Sequence, residues 1–272
     1  MLNRRELLLA GLTSAAAGAA GIGAVCADPG YQTVFYRSGK LRIEAYLFKP
    51  DGDGPFPLVI YNHGTRGRQA KTETPFRFIG AMLRQAGYVT LVPERRGYGR
   101  SDGRAAGGED AAEGLRGEAA DVLAALDYVH TLAYVDRERL GMMGWSFGGI
   151  VTILAIAQSD AFKVAIDQAG GALSWNKNAG IRKALLDAAR SVKIPVLFMD
   201  AENDATTEAV TRTAAVLKHN GVPHQLKIYP PFTPSRNSGR IAPGHLIFGR
   251  EGVHIWKNDA LAFLDAHLRP HR

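Results

Sequence analysis

The stretch that most constrains this chain runs from Leu140 to Ala157. An apolar run, Leu140 to Met143, enters Gly144-Trp145-Ser146-Phe147-Gly148-Gly149, and a second apolar run, Ile150 to Ala157, follows at once. A strand passing through G-x-S-x-G straight into a helix leaves the serine on a very tight, strained turn. Gly144 and Gly148, two residues to either side of Ser146, omit Cβ atoms for which such a turn has no room. The serine then stands above the strand end at a helix N-terminus, where unpaired amide N–H groups and the helix dipole favour negative charge. Ser146 is therefore the candidate nucleophile, and the Phe147 amide a candidate donor to an oxyanion.

The rest of the chain alternates. Tyr31–Tyr36 and Leu41–Leu47 read as two strands joined through Ser38-Gly39-Lys40, an antiparallel hairpin. Lys49–Pro57 reads as a loop. Short apolar strands are expected at Leu58–Tyr61, Val89–Val92, Val164–Ile166, Pro195–Met199 and His224–Tyr229. Helices are expected at Pro75–Ala86, closed by Gly87, and at Ala111–Leu132, Ala179–Ser191, Glu208–His219 and Ile255–Leu268. This order predicts an α/β fold: a mostly parallel central sheet with an antiparallel N-terminal edge and helices on both faces. No linker divides it, so residues 28–272 are expected to form one domain.

A serine nucleophile needs a base, an acid and a second oxyanion donor. In a strand–elbow–helix architecture the order is serine, acid, histidine. Two histidines lie late enough, His245 and His254. His245 sits in a Gly/Pro loop, Ala242-Pro243-Gly244-His245, that can bring it over the sheet end, whereas His254 is expected to open the last helix; His245 is favoured. The acid should follow a strand end. Asp200-Ala201-Glu202-Asn203-Asp204 offers three carboxylates. Asp204, farthest out, is the first choice, Glu202 the second and Asp167 the outsider. Its task is to fix the imidazole tautomer and stabilise the imidazolium. The loop after the Leu58 strand, His63-Gly64-Thr65, should supply the second donor through the Thr65 amide, with His63 and Gly64 supporting the loop.

Composition excludes other classes. The formal net charge is +7, but the basic residues are scattered, so no nucleic-acid surface is expected. No cluster of His, Cys and carboxylates has metal-ligand spacing, and no cofactor is expected. Residues 1–27 combine Arg4-Arg5, an apolar middle and a small-residue end, Val25-Cys26-Ala27. That is the layout of an export signal of the twin-arginine type, implying a periplasmic or secreted protein. Its Gly/Ala-rich middle argues against a retained membrane span.

Taken together, Asn62-His63-Gly64, Arg95-Arg96-Gly97-Tyr98-Gly99-Arg100-Ser101, Gly144-Trp145-Ser146-Phe147-Gly148-Gly149, Glu202-Asn203-Asp204 and Gly244-His245 resemble the α/β-hydrolase superfamily. Within it the chain is similar to the dienelactone-hydrolase-like and prolyl-oligopeptidase-like branch. The resemblance spans nearly all of Tyr31 to Leu268. It implies nucleophile Ser146, acid Asp204 and base His245, and a mainly structural loop at Arg96–Ser101. Dienelactone hydrolases proper use cysteine where this chain has Ser146. Gly170–Ser191 is too short to hold a lipase-sized lid, and Trp175 is a candidate pocket wall. The expected activity is hydrolysis of a small to medium ester. A small peptidase or amidase is the alternative, although nothing marks a site for a peptide's charged ends. A non-catalytic binding protein on the same fold is the less favoured reading.

Overall fold

A computed structural model describes residues 30–67, 71–107, 111–236 and 239–269. The expected export segment, residues 1–27, lies outside them. The elements run β1 (Gln32–Ser38), β2 (Leu41–Phe48), β3 (Phe56–Asn62), α1 (Arg77–Gln85), β4 (Val89–Glu94), α2 (Ala111–Val129), β5 (Val135–Trp145), α3 (Phe147–Ile156) and β6 (Val164–Gln168). There follow α4 (Ala179–Ala189), β7 (Val196–Ala201), α5 (Glu208–His219), β8 (His224–Tyr229), a 3-10 helix (Pro243–Phe248) and α6 (Val253–Leu268).

The eight strands form one sheet in the order β1-β2-β4-β3-β5-β6-β7-β8. The β1–β2 and β2–β4 pairs are antiparallel. Every later pair is parallel. This is the fold expected from the alternation of apolar runs. Strand alternation divides the core in two. Leu58 and Ile60 of β3, with Val196 and Phe198 of β7, point into a cluster with α2, α3, α4 and α5. Val59, Tyr61, Leu197 and Met199 point the other way, towards α1 and α6. Both faces of the central strands are thus covered, and their sequences read as continuous apolar runs rather than alternating ones.

Several boundaries differ from the sequence reading, and three of them have a visible cause. Strand β3 begins at Phe56, inside the expected loop, because the Phe56 amide donates to the Tyr134 carbonyl at 2.8 Å and ties the segment to the start of β5. Helix α2 stops at Val129, where the Thr131 and Leu132 amides close tight three-residue turns. The Gly/Pro loop before α6 is wound into the 3-10 helix from Pro243 to Phe248, whose first position suits a proline.

Candidate active site

Strand β5 ends at Trp145 and α3 begins at Phe147, so Ser146 alone makes the turn. Its φ of 59° and ψ of −121° are strained for a residue with a side chain. The strain is held from several sides. The Ser146 amide donates to the Gln168 carbonyl of β6 at 2.8 Å, and the Ser146 carbonyl accepts from Gly149 at 3.0 Å. A Cβ on Gly148 would lie 2.0 Å from the Asn62 carbonyl oxygen, and one on Gly144 2.2 Å from the Gly148 oxygen. Both contacts are with backbone, so β3, β5 and α3 meet here without room for a methyl group. Asn62 strengthens the junction, donating to Thr152 Oγ1 at 2.9 Å, which in turn donates to the Gly148 carbonyl at 2.9 Å.

Above this turn the structure brings together three residues far apart in the chain. His245 Nε2 lies 2.8 Å from Ser146 Oγ. His245 Nδ1 lies 2.7 Å from Asp204 Oδ2. The His245 and Asp204 side chains are essentially inaccessible, at 2% and 0%. The 3-10 helix carries His245 inward, and the Trp145 indole N–H donates to the His245 carbonyl at 3.1 Å. Asp204 turns back because its amide donates to the Ala201 carbonyl at 3.0 Å. Asn203 clamps the neighbouring loop through two bonds with Phe232, each 2.9 Å. The other candidates sit elsewhere. Glu202 is exposed, and so is His254, whose Nδ1 lies 3.0 Å from the Glu251 carbonyl. Asp167 is buried and takes the Gly170 amide at 2.8 Å; burial pushes its carboxyl up to about 7.

A cavity of about 80 Å³ opens over Ser146, lined by Gly64, Thr65, Arg66, Phe76, Trp145, Leu173, Ile241 and His245. The Gly64–Thr65 loop presses close: a Cβ on Gly64 would lie 3.1 Å from that of Ser146. Phe147 is the first residue of α3, so its N–H has no acceptor within the helix. His63 is fully buried beside this loop. Its Nδ1 lies 2.7 Å from the Gly64 carbonyl, and its ring stacks on Phe76 at 5.7 Å. Burial, then the Arg95 and Arg66 charges, push its pKa well below the ordinary range and keep it neutral. The His63 carbonyl accepts from Arg95 Nη2 at 2.8 Å. Arg95 also pairs with Glu118 of α2 at 2.7 Å, both fully buried.

Trp175 does not line the cavity. It packs into the core of the α2–α5 face, its indole N–H donating to Glu208 at 3.0 Å, and Leu173 supplies the wall instead. Arg66, Phe76, Leu173 and Ile241 escape a sequence reading because they come from four separated segments. Only Phe76 has an odd local feature, a left-handed φ of 48° at the start of α1. A larger groove of about 580 Å³ lies between α4 and α5, lined by Leu186, Arg190, Arg212 and His219 among others. None of the three residues joined above reaches it.

The family model described as the Dienelactone hydrolase family matches residues 43–237. The quorum-quenching protein AidA of Acinetobacter baumannii is 28% identical over 137 residues, covering 50% of this chain and 42% of its own. The chain spans about half the length of the curated relatives it matches. Among solved structures, an acylaminoacyl peptidase of Pyrococcus horikoshii superposes with a TM-score of 0.66 at 22% identity, over 89% of this chain and 42% of that one. A dienelactone hydrolase of Anabaena variabilis superposes with a TM-score of 0.62 at 17% identity, over 88% of this chain and all of that one. These structural likenesses show the fold.

Proposed function

The chain belongs to the dienelactone hydrolase family, and from that premise we propose that it is a serine hydrolase cleaving small to medium carboxylic esters through an acyl-enzyme on Ser146. One observation carries the reading: the unbroken line from Ser146 Oγ to His245 Nε2 at 2.8 Å and from His245 Nδ1 to Asp204 at 2.7 Å. Ser146 Oγ attacks the ester carbonyl carbon while His245 Nε2 takes its proton. Asp204 holds the Nδ1–H tautomer and stabilises the imidazolium. The oxyanion rests on the Phe147 and Thr65 amides. His245 then protonates the leaving alcohol, and a water, deprotonated by His245, releases the acid. The cavity of about 80 Å³ supports an acyl group of modest size.

The test is fluorophosphonate labelling together with hydrolysis of p-nitrophenyl acetate, p-nitrophenyl butyrate and a peptide p-nitroanilide. Ser146→Ala and His245→Ala should each lower ester turnover by roughly 10⁴-fold or more, and Asp204→Ala by roughly 10⁴-fold. Loss in Ser146→Ala with full activity in His245→Ala would remove His245 from the base role. Faster anilide than ester cleavage would favour the peptidase reading. Folded wild-type protein that neither labels nor turns over would sink the hydrolase reading and leave a binding protein.

Export of the folded chain by the twin-arginine route belongs to the same proposal, supported by Arg4-Arg5 ahead of an apolar segment. Changing both arginines to lysine should hold the protein in the cytoplasm on cell fractionation. Unchanged export of that variant would remove the twin-arginine assignment.

A further inference from the structure

The proposed mechanism uses Asp204 but gives no task to Asp200, which lies near the end of β7 at 0% exposure. Asp200 Oδ1 accepts the Ala201 amide at 2.8 Å. Its Oδ2 is buried and receives no donor. The Asp204 carboxyl stands within hydrogen-bonding reach of Asp200, while its Oδ2 faces His245 and its Oδ1 takes the Ala205 amide at 2.5 Å.

Among the described residues no lysine, arginine or histidine pairs with Asp200. From β6 the nearest charge-bearing group is Asp167, another acid. On β8, Ile228 lies opposite Asp200, and its neighbours Lys227 and Tyr229 both reach Asp259 of α6 instead. From α5, Glu208 is taken by the Trp175 indole. From the 3-10 helix, His245 is engaged by Asp204.

Two buried carboxyls in contact, with no cation between them, cannot both be ionised. Asp204 faces an imidazole N–H, and its negative charge is what an imidazolium at His245 requires. Asp200 has the idle oxygen, and a neutral carboxyl has one O–H to donate. We infer that Asp200 remains protonated and donates a hydrogen bond from Oδ2 to the Asp204 carboxylate, acting as a positioning residue behind the relay, a role that rests on Ser146, His245 and Asp204 working as proposed above. Asp204 is then fixed by three donors: the Ala205 amide, the Asp200 hydroxyl and His245 Nδ1–H. Burial, with Asp204 beside it, pushes the Asp200 carboxyl up to about 9. Above that pH Asp200 faces Asp204 as a like charge, and the acid that orients His245 is pushed aside.

Asparagine mimics the protonated acid, because its amide N–H can donate to Asp204 and it cannot ionise. Asp200→Asn should keep kcat/KM on p-nitrophenyl acetate within about twofold of wild type at neutral pH, whereas Asp200→Ala should lose roughly tenfold or more. The wild-type profile should fall above pH about 9, and Asp200→Asn should lack that fall. Infrared spectra at neutral pH should show a protonated-carboxyl C=O stretch that disappears in Asp200→Asn. Equal loss in both variants, or no such band, would overturn the inference. The infrared result stands whether or not the protein hydrolyses esters, so a failed hydrolase reading and a failed Asp200 assignment are separable.

Discussion

At the scale of single residues, the site depends on what is missing as much as on what is present. Gly148 lets the first turn of α3 lie on the end of β3, where a methyl group would stand 2.0 Å from the Asn62 carbonyl oxygen. That oxygen belongs to a strand paired on both sides and cannot swing away. Gly148→Ala should therefore destabilise the fold by about 3 kcal/mol or more, read by urea denaturation. A loss below about 1 kcal/mol would mean that α3 can slide outward. This part of the site was legible in the sequence, because G-x-S-x-G reports a local backbone demand. The proposed acid was less legible. Asp200, Glu202 and Asp204 lie within five positions, and only side-chain direction separates them: Asp200 points into the protein, Glu202 into solvent, and Asp204 back over the sheet towards His245. Spacing along a chain does not encode that. The expected roles of Thr65 and Phe147 concern backbone groups, so their side chains carry no signal for them at all.

At the scale of elements, the alternation of apolar runs was a sound guide, since buried parallel strands and their helices each need an apolar stretch of characteristic length. It failed where the cause was tertiary. Nothing in Ala242-Pro243-Gly244-His245 distinguishes an open loop from a 3-10 turn. The distinction comes from Asn203: a Cβ on Gly244 would sit 2.5 Å from its Oδ1, so the segment is packed tightly against the loop that carries Asp204. Trp175 was misplaced for a similar reason. A tryptophan in a short connection suits a pocket wall or a core equally well, and its Glu208 partner lies 33 residues away. Helix α4, which follows that connection, starts from a local signal. The Asn178 side chain accepts from the Ile181 amide at 3.0 Å, satisfying one of the unpaired donors of the first turn. Asn178→Ala should cost about 1 kcal/mol, measured by thermal or chemical denaturation, while Asn178→Asp should be nearly neutral. Equal loss in both would show that the cap bond is not what fixes this end of the helix.

At the scale of the whole molecule, the buried charges set how stability responds to pH. Arg95 and Glu118 are buried together at 2.7 Å and tie α2 to the His63 carbonyl. Removing either partner would strand a charge. Asp167 and Asp200 differ in having no cation. Their carboxyls are raised to about 7 and about 9 by burial, whereas an unfolded chain would hold them near 4. A raised carboxyl contributes stability that is complete below the unfolded value and is lost as pH rises through the folded one. The unfolding free energy should therefore decline from about pH 4, more gently above about 7, where Asp167 and the likewise raised Glu94 ionise in the folded chain, and level off near 9. In Asp200→Asn the decline between about pH 7 and 9 should vanish and the Tm at high pH should rise by at least about 2 °C, the shift that about 1 kcal/mol gives in a domain of this size. A stability profile that is flat over this range would contradict the burial of these two acids as neutral groups.

The sheet order has one more consequence. With β8 outermost, the row from Gln225 to Lys227 faces solvent, and Leu226 is 42% exposed. A parallel sheet that stops at such a strand has no intrinsic size limit, since its rim is a template that another copy can extend. Lys227, about half exposed and leaning on Asp259, places an ammonium on that rim, and an incoming strand would have to strip its water away. Among the described residues a charge stands at this edge, and salt, which weakens that charge, would work against solubility there.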